Sequence, residues 1–170
     1  MALTTDISLA VLATLTKDLD LGVDPSYPLN YTNQVQLSSG TSAGQSDLMF
    51  TDQRTIAASG TDDLDLAGGL TDAFGATLTF VEVTALIVKA AAGNTNNVVV
   101  GDDATAPWTS LLGADGTVTL RPGALFAAVA GVADATGYAV TATTADILQV
   151  ANSSSGSSVT YDIVIIGRSA

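Results

Sequence analysis

The chain has 170 residues, with 17 acidic and 5 basic side chains and a formal net charge of −12 at pH 7. It contains no cysteine and no histidine, which excludes disulfide scaffolds, thiolate or imidazole catalysis, and metal sites built on those residues. Because the few cations are scattered, neither a nucleic acid nor a membrane is expected as a partner.

Length and hydropathy favour one domain without a membrane-spanning helix. A chain of this size buries a core without the help of a metal or a disulfide. The longest charge-free apolar window, Pro122–Ala133, is shorter than the roughly 20 residues that span a bilayer. No basic stretch precedes Asp6, so the sequence predicts no signal peptide and synthesis in the cytoplasm.

The first 24 residues alternate between apolar side chains at odd positions and mostly polar ones at even positions. This period predicts an extended N-terminal arm, residues 1–24, although a helix capped by Thr5 or Asp6 is the alternative. An isolated amphipathic strand is unstable in water, so the arm must add to a sheet of its own domain or of a neighbouring subunit. The arm residues expected to contact that partner are Leu9, Val11, Leu15, Leu19 and Leu21.

The segment Asp24–Pro28 contains two prolines and predicts a boundary between the arm and a body formed by residues 25–170. In the body, short apolar runs alternate with turns rich in glycine, aspartate and asparagine. This pattern predicts an all-β fold, a jelly-roll-like β-sandwich with an extended N-terminal arm. Strands are expected at 32–37, 48–57, 62–67, 76–90, 98–100, 117–120, 124–130, 138–143, 147–151 and 159–166.

The densest acidic cluster lies at Asp62, Asp63 and Asp65. Clustered aspartates can supply the oxygen ligands of a calcium ion, but the spacing of an EF-hand is absent. A solvated strand edge, with Arg54 paired across the preceding hairpin, is the favoured interpretation. The acidic turn at 102–103 is interpreted in the same way.

Two further residues invite a functional interpretation. Glu82 lies in the most apolar strand pattern, where a perturbed carboxylate would suit glycosidase-type catalysis with a second acid. The alternative is that Glu82 points out of the sheet or pairs with Lys89 or an arginine, and no enzyme is expected. Trp108 lies in a loop, where it could anchor a sugar or a protein partner, but a tryptophan buried at the end of a sandwich is the favoured interpretation.

Four segments of the body are distinctive strings of residues: Thr51–Phe80 (TDQRTIAASGTDDLDLAGGLTDAFGATLTF), Ala90–Gly101 (AAAGNTNNVVVG), Leu120–Phe126 (LRPGALF) and Ser158–Ala170 (SVTYDIVIIGRSA). They resemble a family of small structural proteins of tailed bacteriophages, which are encoded among virion genes and associated with head decoration or other accessory roles. The resemblance extends over most of the chain from Gly44 onward. It implies a jelly-roll-like domain that binds assembled virion proteins as an oligomer, and it supplies no catalytic residue and no cofactor.

Together, the resemblance and the arm predict a capsid decoration (cement) protein that binds the major capsid protein or other virion proteins. It is expected to form a homo-oligomer, with a trimer as the expected number, on the exterior of the capsid. The alternative is a tail-fibre or host-recognition module that binds glycans through the loop around Trp108. The position on capsid, tail or fibre stays open at this point.

Overall fold

The computed structural model describes residues 2–101 and 105–170, and these residues are mostly β-strand, which confirms the expected all-β class. In the described part of the chain the only helix is α1 (Thr109–Leu112), and no helix is long and apolar enough to cross a membrane. The strands are β1 (Thr5–Thr16), β2 (Ser26–Ser39), β3 (Gln45–Ser46), β4 (Leu48–Ile56), β5 (Thr61–Asp65), β6 (Leu70–Thr71), β7 (Thr77–Leu78), β8 (Glu82–Ala90), β9 (Val98–Gly101), β10 (Thr117–Leu120), β11 (Leu125–Val129), β12 (Tyr138–Ala139), β13 (Ile147–Asn152) and β14 (Val159–Arg168).

The body is a sandwich of two antiparallel sheets. One sheet has the order β10-β9-β13-β5, and the other has the order β11-β8-β14-β4 with β12 beside β8. Alternate residues of both sheets point into one shared core, as the two-residue period of the sequence requires. This strand order confirms the sandwich but does not establish jelly-roll connectivity. Core residues include Leu64, Leu66, Leu86, Val88, Val100, Leu148, Val150, Tyr161, Ile163 and Ile165.

The N-terminal segment is one half of a long antiparallel hairpin. β1 pairs with β2 in a continuous register from Thr5 opposite Leu37 to Thr16 opposite Ser26, so the extended interpretation of the arm is confirmed and the helical one is wrong. The segment around Pro25 forms the turn of this hairpin. Pro28 lies within β2 opposite Thr14, which is tolerated because each strand of a two-stranded ribbon has one edge without a partner.

The extent of the arm differs from the sequence prediction in two respects. β1 ends at Thr16, so Leu19 and Leu21 lie in the connection to β2 and not on the strand. Of the two partners expected for the arm, the structure shows the one within the same chain, because β2 lies in residues 25–170, although it is outside the two sheets of the sandwich. The strand expected at 32–37 is therefore only part of the 14-residue β2.

The base of the hairpin packs on the outer face of the β11-β8-β14-β4 sheet. Leu37 of β2 is buried there against Ala85 of β8 and Ile166 of β14. These residues form a second, smaller apolar cluster that fixes where the hairpin leaves the body. The partly buried members of this cluster are Leu3, Ile7, Val35, Val129 and Val164.

Candidate functional site

The hairpin β1–β2 has one apolar face and one polar face, because residues directly opposite each other in an antiparallel pair share a face. On the apolar face, Val11 lies opposite Tyr31 and Leu15 opposite Tyr27. Beyond the base no described residue covers this face, and Leu15 is 74% exposed and Tyr27 69% exposed. We call it the apolar face of the hairpin, and its members are Leu9, Val11, Ala13, Leu15, Tyr27, Leu29 and Tyr31.

The opposite face is mainly polar and contains the hydrogen bonds that hold the register near the base. Asp6 accepts hydrogen bonds from Gln34 Nε2 at 2.7 and 2.9 Å and from Gln36 Nε2 at 3.1 Å. These amides, first that of Gln34, lower the pKa of Asp6 below its usual value. Leu12 is the exposed apolar exception on this face, opposite Asn30.

The tip of the hairpin is acidic and closed by two hydrogen bonds. The Lys17 amide donates to the Pro25 carbonyl at 3.2 Å, and the Leu19 amide donates to a carboxylate oxygen of Asp24 at 2.9 Å. Asp18 and Asp20 are also at the tip. The connection is therefore a defined loop, and Leu19 and Leu21 are exposed beside these carboxylates.

Tyr27, Leu29 and Tyr31 are absent from the sequence-based set of contact residues, yet they form half of the apolar face. The signal was present, because these residues continue the odd-position pattern of β1 into β2. A two-stranded ribbon is at best marginally stable alone, and this one leaves large apolar side chains in water. Such an arrangement is typical of an element that is completed by another surface.

The acidic cluster of β5 divides among separate partners. Asp62 accepts from Arg54 Nε at 2.5 Å and from the Tyr161 hydroxyl at 2.8 Å, so the expected pairing with Arg54 is confirmed. Asp63 accepts from Gln149, and Asp65 accepts from the amide of Ala67 at 2.8 Å. Within residues 2–101 and 105–170, no group of three or more acidic side chains could hold a metal ion. The acidic turn at 102–103 lies outside the described residues.

The ion pair of Arg54 and Asp62 lines a shallow depression of about 490 Å³, together with Asp52, Thr55 and Thr61. Asp62 raises the pKa of Arg54, chiefly through their hydrogen bond. Burial, followed by the bond to Asp62, raises the pKa of Tyr161 far above its usual value. The guanidinium of Arg54 therefore pairs with two carboxylates, because Asp52 also lies 3.2 Å from it.

Glu82 forms an ion pair with Arg168, whose Nε lies 2.7 Å from Glu82 Oε2 and whose side chain is 1% exposed. A register shift between Ile166 and Gly167 precedes Arg168 in β14. A Cβ on Gly167 would lie 2.2 Å from the carbonyl oxygen of Glu82, so the close approach requires glycine. Arg168 also donates to the Ser42 carbonyl at 3.0 Å. The pair thus joins β8, β14 and the loop that follows the hairpin.

Trp108 is a core residue, as the favoured interpretation of the sequence expected, and the alternative that it anchors a ligand in an exposed loop is not met. Its side chain is 5% exposed, packs in the main core and meets Tyr138 edge-on, with ring centroids 6.4 Å apart. Its indole N–H donates to the Ala139 carbonyl at 2.8 Å. With its one polar atom satisfied inside the fold, the indole has no surface left for stacking a sugar.

Comparisons of the chain with protein-family models, with curated proteins and with solved structures find no match. Most of the exposed large apolar side chains among the described residues lie on the hairpin, whereas the body exposes scattered ones such as Phe74 and Leu125. We therefore take the hairpin as the candidate functional site.

Proposed function

We propose that this chain is an accessory structural protein of a tailed-bacteriophage virion, a capsid decoration protein that oligomerises and binds the major capsid shell. The observation that carries the proposal is the projecting hairpin β1–β2, whose apolar face lies in water beyond Ile7 and Val35. The hairpin is the assembly element, and the sandwich is the part that it attaches to the particle.

The assignment to a phage virion depends on the resemblance described above, and the segments that carry this resemblance lie in the body. Thr51–Phe80 spans most of β4 and continues through β7, and Ser158–Ala170 contains β14. None of these segments is in the hairpin. Two features therefore support the proposal: the resemblance noted for these body segments, and the exposed apolar face of the hairpin, which would supply the means of attachment.

Energetics also favour attachment at many sites. Burying the six large side chains of the apolar face is worth on the order of 10 kcal/mol before other terms. Association costs about 4–15 kcal/mol, so a single contact is weak and an array of contacts on one shell is strong. With a net charge of −12, the protein keeps coated particles apart by like-charge repulsion.

The test is a shortened hairpin. Ser8 and Gln34 are register partners, so residues 9–33 can be replaced by an Asn-Gly turn that keeps the base intact. We expect this variant to fold, because Ile7, Val35 and Leu37 still pack on the sheet, and to be missing from purified particles. Mass spectrometry of the particles and cryo-electron microscopy measure its occupancy.

The matched control is Phe74→Ser, which removes an exposed apolar side chain of the body, between β6 and β7. This variant is expected to enter particles at the wild-type level. Full occupancy by the shortened-hairpin variant, or absence of the wild-type chain from every virion fraction, would contradict the proposal.

A further inference from the structure

The hairpin already shows what kind of surface its apolar face packs on. At the base, Ile7, Val35 and Leu37 lie against the outer face of the β11-β8-β14-β4 sheet. They touch Ala85 and Ile166 there. The contact is apolar packing of a ribbon on the outside of a sheet. It ends where the hairpin leaves the body, and both surfaces continue beyond it.

Beyond this contact the outer sheet face is apolar on the side of β11, whereas Thr51, Gln53 and Asp162 make it polar on the side of β4. Two residues after Ala85 on β8 lies Ile87. The strand register places it between Ala127 of β11 and Val164 of β14, so these three residues form one row across the sheet. The next row contains Leu125, which is 61% exposed, and Lys89. We call the surface formed by Ile87, Lys89, Leu125, Ala127 and Val164 the receiving face.

We propose that the receiving face binds the apolar face of the hairpin from a second copy of this chain. The inference rests on the proposed function to the extent that the hairpin is an assembly element. It places that element between neighbouring copies on the shell, so that the hairpin holds each copy in the coat through its neighbours and other surfaces of the oligomer contact the major capsid protein. Each copy then gives a hairpin to one neighbour and receives a hairpin from another. Because the two surfaces differ, the contact is heterologous, and it forms a ring where the rotation between copies closes and an open filament where it does not. A coat of separate oligomers on a shell requires the closed form.

Charge favours this pairing even though the chain as a whole is acidic. Lys89 is exposed on the receiving face and forms no ion pair within the described part of the chain. Its neighbour on β14, Asp162, accepts a hydrogen bond from Gln53 at 2.7 Å. The incoming hairpin carries Asp18, Asp20 and Asp24 at its tip, and these carboxylates offer Lys89 its missing counter-charges.

Size sets the strength of this contact. From Leu9 to Leu15 the apolar face is roughly 20 Å long and 10 Å wide, at about 3.4 Å per residue and 4.8 Å between strands. This area, roughly 200 Å², is smaller than the ~800 Å² that each partner buries in a standard interface, so one hairpin contact is weak. In a ring every copy makes two such contacts, and two contacts hold a copy more strongly than one.

The experiment measures the oligomeric state of the purified full-length chain, with no particle present, by size-exclusion chromatography with light scattering. We expect a closed oligomer for the wild type and monomers for Leu15→Asp and Leu125→Asp. Leu12→Asp is the matched control, because it makes the same change in the same strand on the polar face. It should remain an oligomer.

Mixing the two monomeric variants distinguishes two kinds of contact between copies: packing of a hairpin on the receiving face, and packing of one hairpin on another. The intact hairpin of Leu125→Asp can bind the intact receiving face of Leu15→Asp, so the mixture should form a one-to-one complex. Hairpin-on-hairpin packing would instead leave Leu125→Asp oligomeric by itself, which overturns the inference. A wild-type chain that is monomeric at every concentration overturns it as well.

A second measurement locates the contact. Carbodiimide couples a lysine to a neighbouring carboxylate, and the chain has only two lysines, Lys17 and Lys89. In a mixture of isotopically light and heavy copies, we expect amide links between Lys89 of one copy and an aspartate of the hairpin tip of another. Lys89→Arg keeps the charge and removes the links. If the chain proves monomeric and hairpin variants still fail to enter particles, this inference falls and the proposed function stands.

Discussion

Val11 and Tyr31 lie directly opposite each other on the hairpin, and both side chains are exposed. Val150 and Val100 form an equivalent cross-strand pair in the sandwich, and both are completely buried. The sequence pattern around the two pairs is the same alternation of apolar and polar residues. What differs is the presence of a second sheet, which covers Val150 and Val100 in the sandwich and has no counterpart over the distal hairpin among the described residues.

Replacing Glu82 by glutamine should strongly destabilise the sandwich. The substitution leaves the buried guanidinium of Arg168 without its counter-charge, and breaking a buried pair from one side costs about 3 kcal/mol. Urea unfolding followed by Trp108 fluorescence measures the loss. The double variant Glu82→Met with Arg168→Met is the control and should cost less than Glu82→Gln alone. Equal stability of Glu82→Gln and the wild type would show that the pair does not stabilise the fold.

Replacing Asp62 by asparagine tests whether the acidic cluster is an ion-pair site or a calcium site. The substitution removes the negative charge that holds Arg54 and accepts from Tyr161, which costs about 2 kcal/mol. Because the described acids do not converge, calcium and a chelator should leave the melting temperature of the wild type unchanged. The control, Asp63→Asn, should change stability by less than about 0.5 kcal/mol, since Asp63 is exposed. If a chelator lowered the melting temperature of the wild type but not that of Asp62→Asn, the result would favour a calcium site at Asp62.

The sequence predicted most strand positions in the body, because burial of one face of each strand produces a two-residue period of apolar side chains. β14 follows the strand predicted at 159–166, and the Arg54–Asp62 pair follows from the spacing across one hairpin. The single strand predicted at 76–90 is wrong, because it divides into β7 (Thr77–Leu78), which pairs with β6, and β8 (Glu82–Ala90). The partner of β1 was not predicted, because Pro25 and Pro28 indicate a break. Both prolines are tolerated at the turn and on a free strand edge, which are features of the folded ribbon and not of local sequence.

Stability should fall with rising pH above about 10 because of Tyr161. Burial and the bond to Asp62 raise the pKa of its hydroxyl in the folded chain, so the unfolded chain loses this proton first. The stabilisation is complete below the unfolded value and is lost at about 1.4 kcal/mol per pH unit above it. Urea unfolding at several pH values measures the slope. Tyr161→Phe should remove this part of the slope, and equal slopes in the two proteins would contradict the assignment.

Replacing Trp108 by phenylalanine should affect stability and leave recognition unchanged. The substitution removes the N–H that donates to the Ala139 carbonyl, and loss of such a part-buried hydrogen bond costs about 1 kcal/mol. Thermal unfolding followed by circular dichroism measures the loss. Incorporation into particles and binding to host cells should equal those of the wild type. Selective loss of cell binding in a stable variant would instead revive the host-recognition alternative.

The distal hairpin should be dynamic in the isolated subunit and ordered in the assembly. Between Ser8 and Gln34, a stretch that the structure describes throughout, the hairpin has no core residue on either face, so only hydrogen bonds across the ribbon protect its amides. In the monomeric variant Leu125→Asp we expect rapid hydrogen exchange for Leu9–Leu15 and slow exchange at Leu37 and in β14. In assembled wild-type protein Leu9–Leu15 should become protected, because a covering sheet excludes water from the apolar face. Exchange that is equally fast in both states would mean that the hairpin stays uncovered and that another surface holds the assembly together.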